Sequence, residues 1–450
     1  MKNQHPAAAA SLNIEWERYL DDLKLTKYHY QIFAVCILLV LIDGYDGASL
    51  AYAAPAIAAD IKLDSSLLGP LFAAHLIGMV LGSGPSGLVA DRHGRRPTII
   101  FATAIFGICT LLVATASTFR EILIYRLLTG VGLGAAVSNV IAFASESSPA
   151  RCRATVVSTI YSAFPLGALV GGYIAVWLIA AHGWQSIFAL GAGLTLAALA
   201  AVSWKLPESI RFLRVSGAPL PRIREASGKF GLDPRAAEVP VVPQEAVLVR
   251  RLPMRDLFAD GRAAGTLWLW LAFFVNQLVI YFMFAWLPVV FKSRHLSSEL
   301  GIIASATLNL GGVVGAICLA RLIDRAGAHR VLTLSYIAAF AVVAVFGSIA
   351  SAGAAAVLIT IALTGVVLNG SNVNLAAVAT GLYPTRARST GVGWAMGIGR
   401  VGAIVGSLIG GVLLQSHLKL DVLYAVVGSP LLLAALGMWV MRRPTHAICL

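Results

Sequence analysis

The sequence predicts an all-α membrane protein, with about twelve transmembrane helices arranged as two six-helix, pseudo-symmetric halves. Three observations predict it. Of 450 residues, 58% are hydrophobic and only 12% charged, with a mean hydropathy of +0.82; soluble chains carry roughly 25% charged residues. The apolar residues fall in runs long enough to cross a bilayer, which takes roughly 20 per helix. The same short punctuation also recurs in both halves of the chain. No soluble core has room for this much apolar surface, so lipid must solvate much of it. The 43 glycines set among these runs suit helices that pack closely in a membrane.

The expected spans are 30–54, 66–89, 97–117, 121–145, 154–181 and 184–204, then 265–291, 298–322, 329–350, 354–382, 389–415 and 421–441. This divides the chain into an N-terminal tail (1–29), a first half (30–204), a polar linker (205–264), a second half (265–441) and a C-terminal tail (442–450). The net charge is +13, and nearly all of the 34 Lys and Arg lie in one alternating set of inter-span segments. Only Lys62, Arg120, Lys292, Arg294 and Lys419 fall in the other set, and Arg126 and Arg400 fall inside spans. By the positive-inside rule both termini are expected in the cytoplasm, with the first span directing insertion into a bacterial inner membrane. Basic residues so distributed report topology rather than nucleic-acid binding. Those of the linker suit contact with anionic lipid.

Other classes find little support. The N-terminus has no apolar signal-peptide core. Cys36, Cys109, Cys152, Cys318 and Cys449 form no CxxC pair and avoid the expected external loops, so neither a disulfide nor a metal site is expected. Gly130-Val-Gly132-Leu-Gly134 lies in an apolar span, not at a strand–helix turn, and there is no P-loop; no nucleotide or other cofactor is expected.

The repeat is carried by three matches. Gly87-Leu-Val-Ala-Asp91-Arg92-His-Gly94-Arg95-Arg96 answers to Ala320-Arg-Leu-Ile-Asp324-Arg325-Ala-Gly327. Pro149-Ala-Arg151-Cys-Arg153 answers to Pro384-Thr-Arg386-Ala-Arg388, and Gly167-Ala-Leu-Val-Gly171 to Gly402-Ala-Ile-Val-Gly406, at nearly one offset. Duplicated six-span halves around a central site are a transporter architecture.

GLVADRHGRR resembles the loop signature of the major facilitator superfamily. Arg126-Leu-Leu-Thr-Gly130-Val-Gly132-Leu-Gly134 is similar to its fourth-helix signature, and Pro207-Glu208-Ser209 to the end of its first half. The departures are Ala320 in place of a glycine and Pro97 closing the first loop. A narrower resemblance rests on Asp43-Gly-Tyr-Asp46-Gly and Ala54-Pro55-Ala56-Ile, with Leu25-Thr-Lys27-Tyr28 and Thr390-Gly-Val-Gly393-Trp394. These look like the aromatic acid:proton symporters, whose substrates include benzoate, hydroxybenzoates and protocatechuate. The resemblance implies a major facilitator fold and proton-coupled uptake of an aromatic carboxylate, with protons and the bilayer as the other partners.

Charges inside spans are the first candidates for that chemistry, because each costs at least a few kcal/mol at the bilayer centre. Asp43 and Asp46 lie one turn apart, about 60° around the axis, and share a face. They are expected to couple protons, with a structural salt bridge as the alternative. His75 is a third proton-coupling candidate. Arg126 is placed where a first-span carboxylate reaches it, either holding Asp46 charged or bridging helices permanently. Arg400, mid-span where the first half has Pro165, is expected to anchor the substrate carboxylate through its planar guanidinium. Asn139, Asn276, Gln277, Asn309, Asn369 and Asn372 are candidates for reading ring substituents, and Tyr52, Tyr161, Tyr281 and Trp394 for stacking on the ring; each is otherwise interhelical glue. Asp91, Arg92, Glu146, Arg153, Asp324, Arg325 and Arg386 are expected to gate the cytoplasmic end, whereas Arg95 and Arg96 read best as topogenic charge.

Two competing readings share the fold. Drug/proton efflux would favour a Gly-Pro-rich fifth span, which Phe164-Pro165-Leu-Gly167 through Gly172 only partly resembles. A sugar substrate would favour a second Pro-Glu-Ser-type ending, which the C-terminus lacks. A membrane enzyme or receptor would need a catalytic constellation or signalling domain, and none is found.

Overall fold

The computed structural model describes Tyr19, Leu23 and residues 25–232, 254–259, 261–294, 296–349, 353–416 and 418–442. Most of both tails, the middle of the linker and the side chain of Arg386 lie outside the described residues. Twelve segments among the described residues are long and apolar enough to cross a membrane.

The first half begins with α1 (Lys27–Asp60), then a 3₁₀ turn (Ser65–Leu67) leading into α2 (Leu68–His93). There follow α3 (Arg95–Thr115), α4 (Phe119–Glu146), α5 (Ala150–Tyr161), α6 (Ala163–His182) and α7 (Gln185–Lys205). The expected fifth span is thus two helices, α5 and α6, meeting at Ser162. Pro165 supplies the break, because it has no N–H to offer the carbonyl four residues back. The start of the linker, expected to be polar chain, carries α8 (Ile210–Val215) and the amphipathic α9 (Leu220–Phe230). Phe230 packs edge-on against Tyr28 and His29 at the head of α1, with centroids 5.3 and 5.2 Å apart.

The second half comprises α10 (Ala263–Ser293), α11 (Ser298–Ala326), α12 (Ala328–Ile349), α13 (Ala354–Leu382), α14 (Thr385–Gln415), α15 (Leu420–Gly428) and α16 (Pro430–Met441). Pro430 divides the last span as Pro165 divides the fifth. The repeat in sequence becomes a repeat in packing. Helix α1 lies on α6 as α10 lies on α14, and α2 on α4 as α11 on α13. Gly94 (φ 104°) and Gly327 (φ 84°) end α2 and α11 with the left-handed backbone that favours glycine. Close approach explains other glycines: a Cβ on Gly44 would meet the Phe164 carbonyl, and one on Gly402 the Phe274 carbonyl.

The halves meet along α1–α10, α2–α14 and α6–α11. An even number of crossings returns residue 442 to the end where α1 starts; this is the terminal end, and the opposite one the far end. Bonds across the halves gather at the far end. Lys292 Nζ donates to the Pro55 carbonyl at 2.8 Å, Gln415 Nε2 to Asp64 Oδ1 at 3.2 Å, and the backbones of Gly69 and Leu408 are in close contact. Toward the terminal end, Leu81, Leu88, Tyr161 and Trp394 are exposed. The outward surface is apolar, with Phe101 and Trp177 exposed. Trp204, packed beneath Lys205 Nζ at 4.2 Å, fits a membrane–water boundary.

Candidate functional site

The centre of the bundle holds a buried ion pair. Arg126 (α4) Nη1 donates to Asp46 (α1) Oδ2 at 3.0 Å, and Nη2 to the Asp46 carbonyl at 3.2 Å. Thr110 (α3) donates to the other carboxylate oxygen at 3.3 Å. The guanidinium carbon lies 5.7 Å from the centroid of the Phe188 ring in α7. Both charged side chains are about 1% exposed, so removing either leaves the other uncompensated. Asp43, one turn earlier, is also buried, and its Oδ1 has no hydrogen-bond partner among the described residues. Two carboxylates on one helix face are thus treated differently, one fully paired and one not.

Arg400 (α14) faces this region from the other half. It is exposed, and Nη1 donates to Ser83 (α2) Oγ at 3.4 Å. Tyr161 and Tyr281 stand within electrostatic reach of both Asp43 and Arg400. Beside the ion pair, His75, Arg126, Tyr281 and Ser407 line a cavity of about 30 Å³.

The other candidates separate. Trp394 is 43% exposed and stacks on Trp270 at 6.1 Å, toward the terminal end. Gln277 and Asn372 are half-buried. Asn276 is fully buried, and neither amide atom is bonded among the described residues. Asn369 donates to the Leu308 carbonyl of α11 at 3.3 Å, across two helices, and Asn309 to the Ser305 carbonyl of its own helix at 3.2 Å. Tyr52 is buried and donates to the Ala168 carbonyl at 2.9 Å. Asn139 lies away from the central group: its Oδ1 accepts from Arg95 Nη1 at 3.1 Å, and its Nδ2 donates to the Ala135 carbonyl.

At the terminal end, Arg95 is the hub and not mere topogenic charge. It reaches Asp91 at 3.1 Å and Glu146 at 3.0 Å as well as Asn139. Arg96 likewise donates to the Ser203 carbonyl at 2.7 Å. Arg211 approaches Glu146 at 3.8 Å, and Ser209 Oγ donates to it at 2.9 Å. Glu208 accepts from the first two backbone N–H groups of α3, at 2.8 and 3.2 Å, capping that helix where its dipole favours an anion. Glu208 and Ser209 are absent from the gating candidates, although the Pro207-Glu208-Ser209 signature marked the place. The ion pairs of Asp91, Arg95 and Glu146 stay within the first half, and that of Arg211 ties the linker to it. Arg153 donates to the Ser148 carbonyl at 3.4 Å. Arg92, Asp324 and Arg325 are exposed and form no ion pair among the described residues. Among the described residues, no ion pair of these gating candidates crosses between the halves. The described residues hold no cluster of metal-ligating groups.

Comparison with known proteins places this arrangement. The Major Facilitator Superfamily profile matches residues 36–358 and 300–448. A gallate transporter of Pseudomonas putida is 36% identical over 94% of each chain. The 4-hydroxybenzoate transporter PcaK of Acinetobacter baylyi is 34% identical over 96% of this chain and 95% of its own. The benzoate transport protein of the same species is 28% identical over 91% and 88%. Among solved structures, the partially occluded inward-open xylose transporter XylE of E. coli superposes with a TM-score of 0.72 at 20% identity, covering 94% of this chain and all of that one; at this identity the likeness is one of fold. These relatives are carriers, not enzymes. The chain is a multi-pass membrane transporter of the Major Facilitator Superfamily, and within it groups with the aromatic acid transporters.

Proposed function

We propose that the protein takes up an aromatic carboxylic acid together with protons, by alternating access, in the inner membrane of a bacterium with both termini in the cytoplasm. Residues 30–204 and 265–441 are the two moving halves, and 205–264 the linker between them. The observation that carries this reading is the unequal treatment of Asp43 and Asp46, beside the cationic side chain that α14 of the second half brings to mid-bundle, Arg400. The full-length similarity to the gallate and 4-hydroxybenzoate transporters supports the substrate class.

In the cycle, Asp43 and Asp46 take the proton from outside, with His75 beside them. The acid then binds with its carboxylate on Arg400 and its ring near Tyr161 and Tyr281. Protonation of Asp46 loosens its hold on Arg126, and so couples proton occupancy to the packing of α1 on α4. Substrate and proton leave through the terminal end, where Trp394 lines the route and the Arg95 cluster sets the helix ends. One proton carried with one carboxylate is electroneutral.

The test is uptake of labelled benzoate, 4-hydroxybenzoate, protocatechuate, a sugar and a cationic dye, by cells with and without the protein, each with and without a protonophore. Protonophore-sensitive accumulation of a ring acid is expected. Accumulation of none, with dye expelled instead, would make the protein an efflux carrier and Arg400 a structural residue.

A further inference from the structure

The small cavity beside the ion pair spans the two halves. His75 and Arg126 enter it from the first half, Tyr281 and Ser407 from the second. Most of its wall is apolar, formed by Phe72, Leu76 and Phe284 among others. Three of its lining residues carry a buried side-chain atom with no hydrogen-bond partner among the described residues: Arg126 Nε, on the guanidinium already held by Asp46, and two neutral groups. His75 Nδ1 and Ser407 Oγ are buried and have no hydrogen-bond partner among the described residues; the two residues are 5% and 1% exposed. Buried polar groups are nearly always paired, so unpaired ones on both sides of one cavity, His75 from the first half and Ser407 from the second, point to a ligand that pairs them. At about 30 Å³ the cavity takes one oxygen atom with its hydrogen.

Its position relative to Arg400 gives the rest of the ligand. Ser407 follows Arg400 by seven residues on α14, which is about 10.5 Å along the axis and within about 20° of the same face. Helix α2 runs antiparallel beside it, with Ser83 bonded to Arg400 and His75 sharing the cavity with Ser407. That separation suits one aromatic ring with a hydrogen bond of about 2.8 Å at each end. We infer that the cavity is a distal subsite for a phenolic hydroxyl, in which His75 Nδ1 and Ser407 Oγ bind the ring hydroxyl of a hydroxylated aromatic acid. The inference rests on Arg400 as the carboxylate anchor. It makes the carrier selective for ring-hydroxylated acids, because a site that hydrogen-bonds a hydroxyl rejects the analogue that leaves its own groups unpaired. Asp46 is already committed to Arg126, so its carboxylate does not compete for the hydroxyl.

The test is initial-rate uptake of 4-hydroxybenzoate, benzoate and 4-methoxybenzoate by the full-length protein in cells. The expected KM for 4-hydroxybenzoate is at least about tenfold below that for benzoate. The expected KM for 4-methoxybenzoate lies above both, because the methyl group overfills the cavity. Ser407→Ala is expected to bring the first ratio within about threefold, and Ser407→Cys, with its weak donor, to give an intermediate value. Equal KM values for benzoate and 4-hydroxybenzoate, or equally good transport of 4-methoxybenzoate, would overturn the subsite while leaving aromatic acid transport standing. A ratio unchanged in both Ser407 variants would also overturn it. If none of the three acids enters, the uptake reading itself fails and the subsite falls with it.

Discussion

Asp46 and Arg126 are held together by a 3.0 Å bond between side chains that are each about 1% exposed, on helices eighty residues apart in the chain. The carboxylate also receives Thr110, and the backbone carbonyl of Asp46 receives the second guanidinium nitrogen. Arg126 Nε is left without a partner among the described residues, yet breaking such a buried pair from one side is costly, because it leaves a lone charge. Arg126→Leu and Asp46→Leu are each expected to destabilise the protein by about 3–5 kcal/mol. The double variant is expected to lose less than the sum of the two. Thermal unfolding in detergent across the four proteins gives the coupling, and simple additivity would show that the pair contributes no interaction energy.

Asp43 is expected to behave oppositely. Its Oδ1 has no partner among the described residues, so Asp43→Asn removes a charge without orphaning one of them. Thermal stability should stay within about 1 kcal/mol of the parent, or rise. Protonophore-sensitive accumulation should fall at least tenfold. Full concentrative uptake by both Asp43→Asn and Asp46→Asn would show that the proton site lies elsewhere.

Arg95 binds Asp91, Asn139 and Glu146 together. Hydrogen bonds to charged groups contribute about 1.5–3 kcal/mol each. Arg95→Ala should therefore cost at least about that much, and Arg95→Lys should recover only part of it, because an ammonium lacks the planar fork. Denaturation midpoints of the two variants check this; equal midpoints would reduce Arg95 to a point charge.

Glycine substitutions should divide by what surrounds them. A Cβ at Gly44 meets the backbone of Phe164, and one at Gly402 the backbone of Phe274, while Gly193 has nothing within 4 Å. Gly44→Ala and Gly402→Ala should each cost about 1–3 kcal/mol through forced helix separation. Gly193→Ala should be neutral, or stabilising by up to about 1 kcal/mol. Melting temperatures measured side by side decide it.

The far end should respond to acid. The Asp64 carboxylate is held below its ordinary value, first by the Ser66 hydroxyl, then by the Ser66 backbone N–H, with a smaller part from Gln415. A lowered folded-state value means that its contribution is complete above the ordinary carboxylate pKa and is lost as pH falls through the lowered one, below about pH 4. The Gln415–Asp64 link should weaken there and the far end should separate more readily. Spin labels at Lys62 and Lys419 report the distance, and Asp64→Asn should abolish its change with pH.

Much of this protein was legible from local pattern. Span length and the recurrence of Asp91 and Asp324, and of Gly167 and Gly402, required only the bilayer's thickness and a repeat. Asp43, Asp46, Arg126 and Arg400 stood out because charge inside an apolar run is expensive wherever the helix lies. The division of the fifth span at Ser162 was not legible, because Pro165 breaks some helices and only kinks others.

What the sequence by itself determined was the membrane class, the two-half plan and the short list of intramembrane charges, since each follows from solvation along one chain. The tertiary structure alone decided who meets whom: Asp46 with Arg126 while Asp43 stays unbonded, Asn139 with Arg95, Glu208 on the head of α3, and Ser407 opposite His75. Those pairings depend on the rotation and register of helices that share no local sequence. Close approach at glycines fixes that register, and only the packed bundle expresses it.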